Sequence, residues 1–364
     1  MILITLADNI TVAAGAVVVT SFLEPGITVW GGYQPKESNR KKIERYVCMM
    51  VKFDEKQYPK VSIIMPAYNA ATSCEIAIDS VLNQEYENFE LIIIDDGSTD
   101  DTYKICEKYS IVDSRIKLIH QNNGGVSKAR NTGLLHSSGE YTAFIDSDDS
   151  MESQFLKLMV TTIIEQKADV AICGYTAVSK YGERVWKPTE TIEFAPMLVR
   201  ENGLNMLWNK LFKTALITHR FNESSSMGED LEFVVTYFEN VQSVALINES
   251  LYNYAKDTAG SLTKKIDLVL ASISKEVENR ERFLRLFNAN TALAYEGVPG
   301  YLFYLLKKTR TYHEFIMVYD NIRKRQNLLS IIQKPFKNKK DRLIVKCIGK
   351  GPAFLLYLMT KIKK

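Results

Sequence analysis

The sequence predicts an α/β fold in which a mostly parallel, mixed sheet is flanked by helices. A short β-rich arm precedes this sheet, and a helical, basic region follows it. Three observations lead to this prediction. Short apolar runs alternate with helical stretches from about residue 58 to 255. After that point the apolar pattern becomes helical and rich in Lys and Arg, and the first 33 residues follow a six-residue period instead. We therefore expect three parts, 1–45, 58–255 and 256–364.

The N-terminal arm repeats Leu6, Val12 and Val18 at six-residue intervals. Its sequence "LADNITVAAGAVV" followed by "PGITVWGG" resembles the last coils of a left-handed β-helix in the hexapeptide-repeat acyltransferases, although alanine stands twice where that family has glycine. Such coils need about three stacked repeats to bury a face, so residues 1–33 cannot form an acyltransferase. Our hypothesis is that they are a vestige of a neighbouring gene, or that the start codon is placed too early. The alternative is a β-rich arm that packs on the main domain.

The main domain opens with a strand, a helix and a second strand. "VSIIM" (61–65) is a short apolar run that ends at a proline, which is typical of a buried strand. Apolar residues in 74–82 are spaced three and four apart, which predicts a helix. "FELIIID" (89–95) is the next buried strand. Ser98 or Thr99 is expected to cap the helix that follows, because these hydroxyls accept hydrogen bonds from the free N–H groups of a first turn.

The alternation of strands and helices continues along the chain. "IKLIH" (116–120) predicts a strand and 126–136 a helix. "YTAFID" (141–146), a helix over 153–166 and the strand "ADVAICGY" (168–175) follow. Ligands in such sheets bind beyond the carboxyl ends of the strands.

That rule places four polar segments along one edge of the sheet. They are Pro66–Asn69, Asp95–Asp96, Asn122–Gly125 and Asp146–Asp149.

The acidic corner "IDSDDS" carries Asp146, Asp148 and Asp149. It is not a calcium loop of the EF-hand kind, because Met151 stands where that loop needs Gly and Lys157 where it needs Glu. A phosphatase nucleophile would lie on the first strand, and here three strands precede it. A helix cap explains one of the three acids. A divalent metal shared with a phosphate group explains more, and the corner is then expected to look empty and self-repelling in a protein without ligand.

The second acidic segment, Asp95-Asp96-Gly97, ends the predicted strand 89–95. A carboxylate at this edge can accept hydrogen bonds from a base N–H or from ribose hydroxyls. The alternative is a helix N-cap cluster, which is common and weakly specific. Neither G-x-G-x-x-G nor G-x-x-x-x-G-K-[ST] follows the first strand, which disfavours a dinucleotide fold and a P-loop.

Six motifs together resemble the family-two glycosyltransferases of the GT-A fold, over about residues 60–255. They are "VSIIMPAYNA", "SVLNQEYENFELIIIDDGSTDDT", "NNGGVSKARNTG", "GEYTAFIDSDDSM", "LWNKLFK" and "GEDLEF", in that order. The family transfers a sugar from a nucleotide-diphosphate donor to an acceptor with inversion at the anomeric carbon. The resemblance therefore implies a nucleotide-sugar donor, Mn²⁺ or Mg²⁺, and a saccharide or lipid-linked saccharide acceptor.

The resemblance also implies which residues contact the donor. They are Pro66, Ala67, Tyr68, Asn69, Asp95, Asp96, Arg130 and Asp146. Asp146 and Asp148 match the D-x-D pair that binds the metal, and Lys128 would assist Arg130 at the diphosphate.

On the acceptor side, the resemblance assigns Asp230 as general base with Glu229 beside it, and Trp208 and Lys210 to a segment near the acceptor and the diphosphate. This division suits the chemistry, since the leaving diphosphate needs positive charge and single displacement needs one base. Taken alone, this stretch favours Asp230 as an acid that stabilises the start of an apolar helix, and only its place after five matched motifs favours the general base.

Charge is unevenly distributed along the chain. Residues 301–364 hold 16 Lys+Arg and 3 Asp+Glu, and the remainder holds 30 and 40. The basic end is either a solvated helical surface or a peripheral contact with anionic lipid; no nucleic-acid-binding motif accompanies it. Five scattered cysteines and the lack of an apolar run of about 20 residues lead us to expect a cytoplasmic protein, either soluble or peripheral on the inner face of the plasma membrane.

The sequence thus predicts an inverting, metal-dependent transferase of hexosyl or N-acetylhexosaminyl groups, using a UDP-sugar, in bacterial surface polysaccharide synthesis. The alternative from another class is a non-catalytic relative that keeps the fold and binds a saccharide or a partner. A sugar nucleotidyltransferase would need a glycine-rich phosphate loop after the first strand, and "MPAYNAATS" is not one.

Overall fold

The computed structural model describes residues 4–5, 11–12 and 59–361, with short gaps. The gaps are 180–181, 190–193, 202, 226, 256–265, 310, 326–327, 329, 332–333, 335, 337–338 and 352.

The chain forms two compact units, Met1–Tyr58 and Pro59–Lys364. In the first, Ile4–Thr5 (β1) pairs antiparallel with Thr11–Val12 (β2). The rest of the six-residue repeat predicted for the N-terminal arm lies outside the described residues.

The second unit contains one nine-stranded sheet. Its strands are β3 (Val61–Ala67), β4 (Phe89–Asp95), β5 (Ile116–His120), β6 (Tyr141–Phe144), β7 (Ser150–Met151), β8 (Val170–Ser179), β9 (Gly182–Trp186), β10 (Lys210–Lys213) and β11 (Val244–Ala255). Their order is β5-β4-β3-β6-β10-β8-β11-β7, with β9 on β8.

Helices connect and cover these strands. They are α1 (Cys74–Leu82), α2 (Thr102–Val112), α3 (Val126–His136), α4 (Phe155–Glu165), α5 (Phe194–Arg200), α6 (Glu229–Phe238), α7 (Ile266–Leu286), α8 (Val298–Lys308), α9 (Tyr312–Lys324), α10 (Lys339–Lys350) and α11 (Ala353–Lys361).

The sheet is parallel in one half and mixed in the other. β5, β4, β3 and β6 run parallel, whereas β10 lies antiparallel between β6 and β8. Every residue of β3 and β4 is buried, as expected for parallel strands with both faces covered. The predicted α/β class, a mostly parallel mixed sheet flanked by helices, is confirmed.

One expectation about the loops is wrong. Neither Ser98 nor Thr99 caps a helix, since α2 begins at Thr102. The hydroxyl of Ser98 instead accepts a hydrogen bond from the Asn69 N–H at 3.0 Å, and the Thr99 N–H donates to Asn69 Oδ1 at 2.8 Å. These bonds hold Asn69, which has a left-handed backbone with φ of 50°, so the two residues link the loops after β3 and β4.

The region after residue 265 is helical where it is described, and it shares a hydrophobic core with the sheet. One cluster of buried side chains runs from Ile64 on β3 to Leu356 on α11. The division into 58–255 and 256–364 stays a prediction. None of the described helices is long and apolar enough to span a membrane.

Candidate active site

The polar segments that follow the parallel strands lie together at the carboxyl edge of the sheet. The side chains that follow β3, β4 and β6 end on one edge, because β4, β3 and β6 are neighbours. Helix α3 crosses behind this edge and packs on β3 and β4. Gly133 permits the close approach, because a Cβ there would stand 2.4 Å from Ile64 Cγ2.

Arg130 on α3 is the centre of the site. Its Nη2 donates to Asp146 Oδ1 at 3.0 Å, and its Nη1 donates to Asp230 Oδ1 at 2.6 Å. Glu229 Oε1 lies 3.6 Å from the same Nη1. The guanidinium is buried, and its carbon lies 5.5 Å from the centre of the Phe221 ring. One planar cation therefore joins the loop after β6 to the start of α6.

This arrangement corrects the expectation of an empty acidic corner. Positive charge is already present, because Arg130 pairs with Asp146 in the protein itself. Three carboxylates share this one guanidinium, so the cluster is still net negative. Such a cluster favours a further cation.

Asp230 lies at the start of α6, directly after Gly228, whose φ of 80° turns the chain into the helix. Burial raises the pKa of its carboxyl to about 7, and the nearby charges of Glu229 and Asp146 act in the same direction. Arg130 opposes them and lowers it. A carboxyl that titrates near neutrality is suited to accept a proton from a hydroxyl.

Asp149 belongs to the frame of the corner. It is buried, accepts a 2.8 Å hydrogen bond from the Tyr252 hydroxyl, and accepts the Ala255 N–H at 2.7 Å. Burial and the charge of Asp146 raise its pKa to about 8. The same Tyr252 oxygen accepts the N–H of Asp146 at 3.2 Å. Asp149 thus fixes the loop to β11 and does not point into open space.

Asp146 and Asp148 are the predicted oxygen donors for a metal, and both side chains are partly exposed. In the described part of the chain, no group of three or more His, Cys, Asp or Glu side chains is placed to hold a metal. Mg²⁺ and similar hard cations are often held by one or two carboxylates plus substrate phosphates. The residues present fit that kind of metal and would not fit a closed all-protein site.

Asp95 and Asp96, the predicted contacts of the base and ribose, both have hydrogen-bond partners within the protein, and their role toward a donor stays a prediction. Asp95 is fully buried, and its Oδ2 lies 2.6 Å from His120 Nδ1. Asp96 accepts bonds from Gln121 Nε2 and from the N–H groups of Gly124 and Gly125, at 2.6–3.0 Å. Both carboxylates hold neighbouring loops in place, because buried acids need such partners.

The segment after β3 leaves the interior at Tyr68. Pro66 and Ala67 are the last buried residues of the strand, whereas Tyr68 is 51% exposed. An exposed ring beside the sheet edge can stack on a planar group. Lys128, at the start of α3, is also exposed.

Trp208 and Lys210, predicted to belong to a segment near the acceptor and the diphosphate, are both buried inside the protein, and that role stays a prediction. Trp208 stacks on Tyr252, with ring centres 4.3 Å apart. Lys210 Nζ is fully buried and donates to the backbone oxygens of Gly203 and Met206. Lys210 thus fixes the segment before β10, and Trp208 packs on the tyrosine that bonds Asp146 and Asp149.

Sequence reasoning missed two supports of the site. Tyr252 joins Asp146 and Asp149, and Asn131 bonds both the N–H and the carbonyl of Phe221, which carries the ring beneath Arg130. Both contacts join residues about 90–106 positions apart. Only the position of Asn131 next to Arg130 offered a local signal.

Comparison with known proteins gives the following similarities. Residues 62–225 match the family described as "Glycosyl transferase family 2".

Curated relatives agree with that match. The chain is 32% identical over 220 residues to "Glycosyltransferase GlyA" of Streptococcus pneumoniae, covering 56% of this chain and 32% of GlyA. It is 32% identical over 221 residues to "Uncharacterized glycosyltransferase EpsJ" of Bacillus subtilis, covering 57% and 63%. It is 28% identical over 207 residues to the poly(ribitol-phosphate) beta-N-acetylglucosaminyltransferase TarS of Staphylococcus aureus, covering 55% and 36%. The chain thus spans 32% to 63% of the length of these relatives.

Among solved structures, residues 1–349 of S. aureus TarS share the fold. The TM-score is 0.57 at 20% identity, over 83% of this chain and 88% of that one. The same TarS fragment has been solved with UDP-GlcNAc, with a TM-score of 0.56. This likeness shows a common architecture.

Proposed function

Residues 62–225 of this chain belong to glycosyl transferase family 2, and from this premise we propose that the chain is an inverting, metal-dependent glycosyltransferase. The donor is a nucleotide-diphosphate sugar, which we propose to be a UDP-sugar. The acceptor is a saccharide or a lipid-linked saccharide. The names of GlyA, EpsJ and TarS support the reaction class.

One observation carries the proposal, namely that Arg130 bonds Asp146 and Asp230 at the same time. Asp146 is the candidate metal ligand, Arg130 the candidate diphosphate contact and Asp230 the candidate base. Sugar transfer needs these three functions within a few ångströms of one anomeric carbon. They come from positions up to 100 residues apart in sequence.

Asp230 has the task of accepting the proton of the acceptor hydroxyl. The hydroxyl oxygen then forms the new bond to the anomeric carbon while the bond from that carbon to the diphosphate oxygen breaks. Arg130 holds the negative charge that develops on the departing nucleoside diphosphate. Asp146 and Asp148 would hold Mn²⁺ or Mg²⁺, which would supply further positive charge to the same leaving group.

Donor loading changes the partners of Arg130 in this scheme. In the protein alone the guanidinium bonds two carboxylates, and Asp230 is one of them. A diphosphate that draws Arg130 toward itself leaves Asp230 with less opposing charge. The base is then freed for the acceptor when the donor is in place.

A thermal-shift screen of nucleotide sugars with Mn²⁺ tests the proposal, because a bound ligand raises apparent stability by mass action. The sugar that stabilises the protein is then tested for hydrolysis and transfer. We expect Mn²⁺-dependent turnover that Asp148→Asn abolishes and that Asp101→Asn, an exposed acid on the loop before α2, leaves intact. Binding without any turnover would favour the non-catalytic alternative instead.

We also propose a peripheral contact with anionic lipid through the basic C-terminal helices, on the inner face of the plasma membrane, as suits an enzyme of bacterial surface polysaccharide synthesis. Helix α10 supports it, since Lys339, Arg342 and Lys346 share it with Leu343, whose side chain is 51% exposed. Exposed apolar side chains beside Lys and Arg are typical of interfacial helices.

Co-sedimentation with vesicles that contain phosphatidylglycerol tests this contact in the full chain. We expect binding that weakens with salt and is lost when Lys339, Arg342 and Lys346 are changed to Glu. A control variant in which Lys104, Lys108 and Lys157 are changed to Glu reverses the same number of charges and should preserve binding. Equal loss in both variants would show a general charge effect and remove the idea.

A further inference from the structure

A cavity of about 460 Å³ lies beside the start of α6. Asp230 is part of its wall, together with residues of α7 and the first turns of α8. This volume is within the range of small-molecule sites, about 300–1,000 Å³. Helices α6, α7 and α8 all lie beyond residues 62–225, so the cavity is largely built outside the segment that matches the family.

The position of the cavity relative to Asp230 gives it a role. Asp230 contributes to the cavity wall and also bonds Arg130, which bonds Asp146 on its other side. Arg130 and Asp146 do not line the cavity. A base in single displacement must touch the incoming hydroxyl, and the leaving group departs on the opposite side. The cavity therefore lies where an acceptor would reach Asp230 without entering the Arg130–Asp146 cluster.

The charges in the cavity select the kind of acceptor. Two cations and four carboxylates line it, and each cation has a glutamate partner in the same wall. Arg280 bonds Glu276 at 2.5 Å, and Arg200 lies 3.3 Å from Glu296. The excess of carboxylates repels a phosphate or a uronate.

Polar groups in the wall match hydroxyls instead. Asn205 donates its Nδ2 to Glu276 at 3.1 Å, while its buried Oδ1 accepts no hydrogen bond from the described residues. A buried amide oxygen in this state favours a ligand that donates to it. Tyr301 on α8 adds a ring that is 38% exposed, and such a ring can pack against the C–H face of a sugar.

We propose that this cavity binds the acceptor, and that the acceptor unit held there is an uncharged saccharide. The inference rests on the proposed function and names the substrate class of the same site. Acceptor selectivity then resides in α7 and α8. The proposal excludes an anionic polyol phosphate chain, the kind of acceptor in the name of TarS, as the unit bound in this cavity.

Saturation-transfer NMR on the full chain with UDP and Mg²⁺ tests the proposal. The probes are methyl glycosides of glucose, galactose and N-acetylglucosamine, each neutral, together with methyl glucuronide and glucose 6-phosphate as anions. We expect saturation transfer from the protein to at least one neutral glycoside, and an NMR signal at least about fivefold weaker for either anion. An equal or stronger saturation-transfer signal for an anion, or no signal for any neutral glycoside, would overturn the proposal.

Two test variants and one control locate the binding. Tyr301→Ala should reduce the neutral signal at least fivefold, whereas Tyr312→Ala is the matched control. Tyr312 is on α9, is 43% exposed and does not line the cavity. Glu296→Gln, which removes the partner of Arg200, should raise the relative signal of the anions. An unchanged signal in Tyr301→Ala would also contradict the proposal.

Donor stabilisation in the thermal-shift screen separates the two possible failures. Tyr301→Ala should keep the donor shift of the wild type, because Tyr301 lines the cavity, which Asp146 and Asp148 do not. No shift with any nucleotide sugar would refute the proposed function. A normal shift with an unchanged Tyr301→Ala signal would refute only the acceptor cavity.

Discussion

At the scale of single residues, the account depends on one guanidinium between three carboxylates. A planar fork can bond two carboxylates at once, and a lysine ammonium is a point charge that cannot reproduce this geometry. The roles of Asp230 and Asp146 therefore depend on an arginine at position 130. The resemblance assigned Arg130, Asp146 and Asp230 to one site, but the sequence did not indicate that Arg130 bonds both acids.

Replacing Asp230 by Asn should lower turnover by about 10²–10⁴-fold, because the amide cannot accept the proton of the acceptor. Glu232→Gln is the matched control. Glu232 lies in the same first turn of α6 and pairs with Lys275, so its variant should keep turnover within about threefold. Both variants are assayed by their rate of sugar transfer. Equal losses of rate in the two would point to damage of α6 as a whole.

The pH dependence of kcat/KM should follow the raised pKa of Asp230, which is about 7 in the free protein. The base works only when deprotonated, so kcat/KM should rise with pH through that value and then level off. An acid limb near the ordinary carboxyl pKa of about 4 would instead show that burial does not govern this group.

Arg130→Lys should reduce turnover by about 10²-fold, the effect of removing one well-placed donor from a developing anion. It should also lower thermal stability, because an ammonium cannot keep the hydrogen bonds to both Asp146 and Asp230. Arg115→Lys is the control, since Arg115 pairs with Asp113 in a partly exposed site away from the cleft. A fully active Arg130→Lys protein would show that the fork is unnecessary.

At the scale of elements, the strands of the parallel half could be predicted closely because each is a short apolar run. The predicted strands 89–95 and 116–120 and the helix 126–136 match β4, β5 and α3. The bonds of Ser98, Asp96 and Lys210 could not be predicted. Their partners are set by how the loops meet in space, which local pattern does not encode.

Glu90 on β4 shows how a buried acid stabilises this half. Burial alone would raise its pKa, but hydrogen bonds from Ser62, Lys60 and Ser138 lower it from 4.5 to about 2. A depression of that size corresponds to about 3 kcal/mol of folding free energy. Because the folded pKa is the lower one, this contribution is present above pH 4.5 and is lost as pH falls toward 2.

Glu90→Gln should therefore destabilise the protein at pH 7 by up to about 3 kcal/mol. The difference from wild type in urea unfolding should shrink between about pH 4.5 and pH 2. Glu87→Gln, at an exposed position just before β4, is the control and should change the free energy of unfolding little. A pH-independent difference would mean that the carboxylate charge is not the stabilising feature.

At the scale of the whole molecule, the helices after residue 265 share the core of the sheet and supply part of a cavity at the candidate base. The sequence predicted this region as helical and basic, and nothing in its pattern indicated a wall of the site. The reason is that α7 and α8 reach Asp230 through tertiary packing across about 40–70 residues.

The most direct test of the central claim is a calorimetric titration with the nucleoside diphosphate of the donor found in the screen, with and without Mn²⁺. We predict that Mn²⁺ strengthens binding to the wild type and to Asp230→Asn, because the metal ligands are intact in both. Asp146→Asn should lose that strengthening. Equal Mn²⁺ dependence in Asp146→Asn and the wild type, or no binding at all, would contradict the assignment of this corner as the donor and metal site.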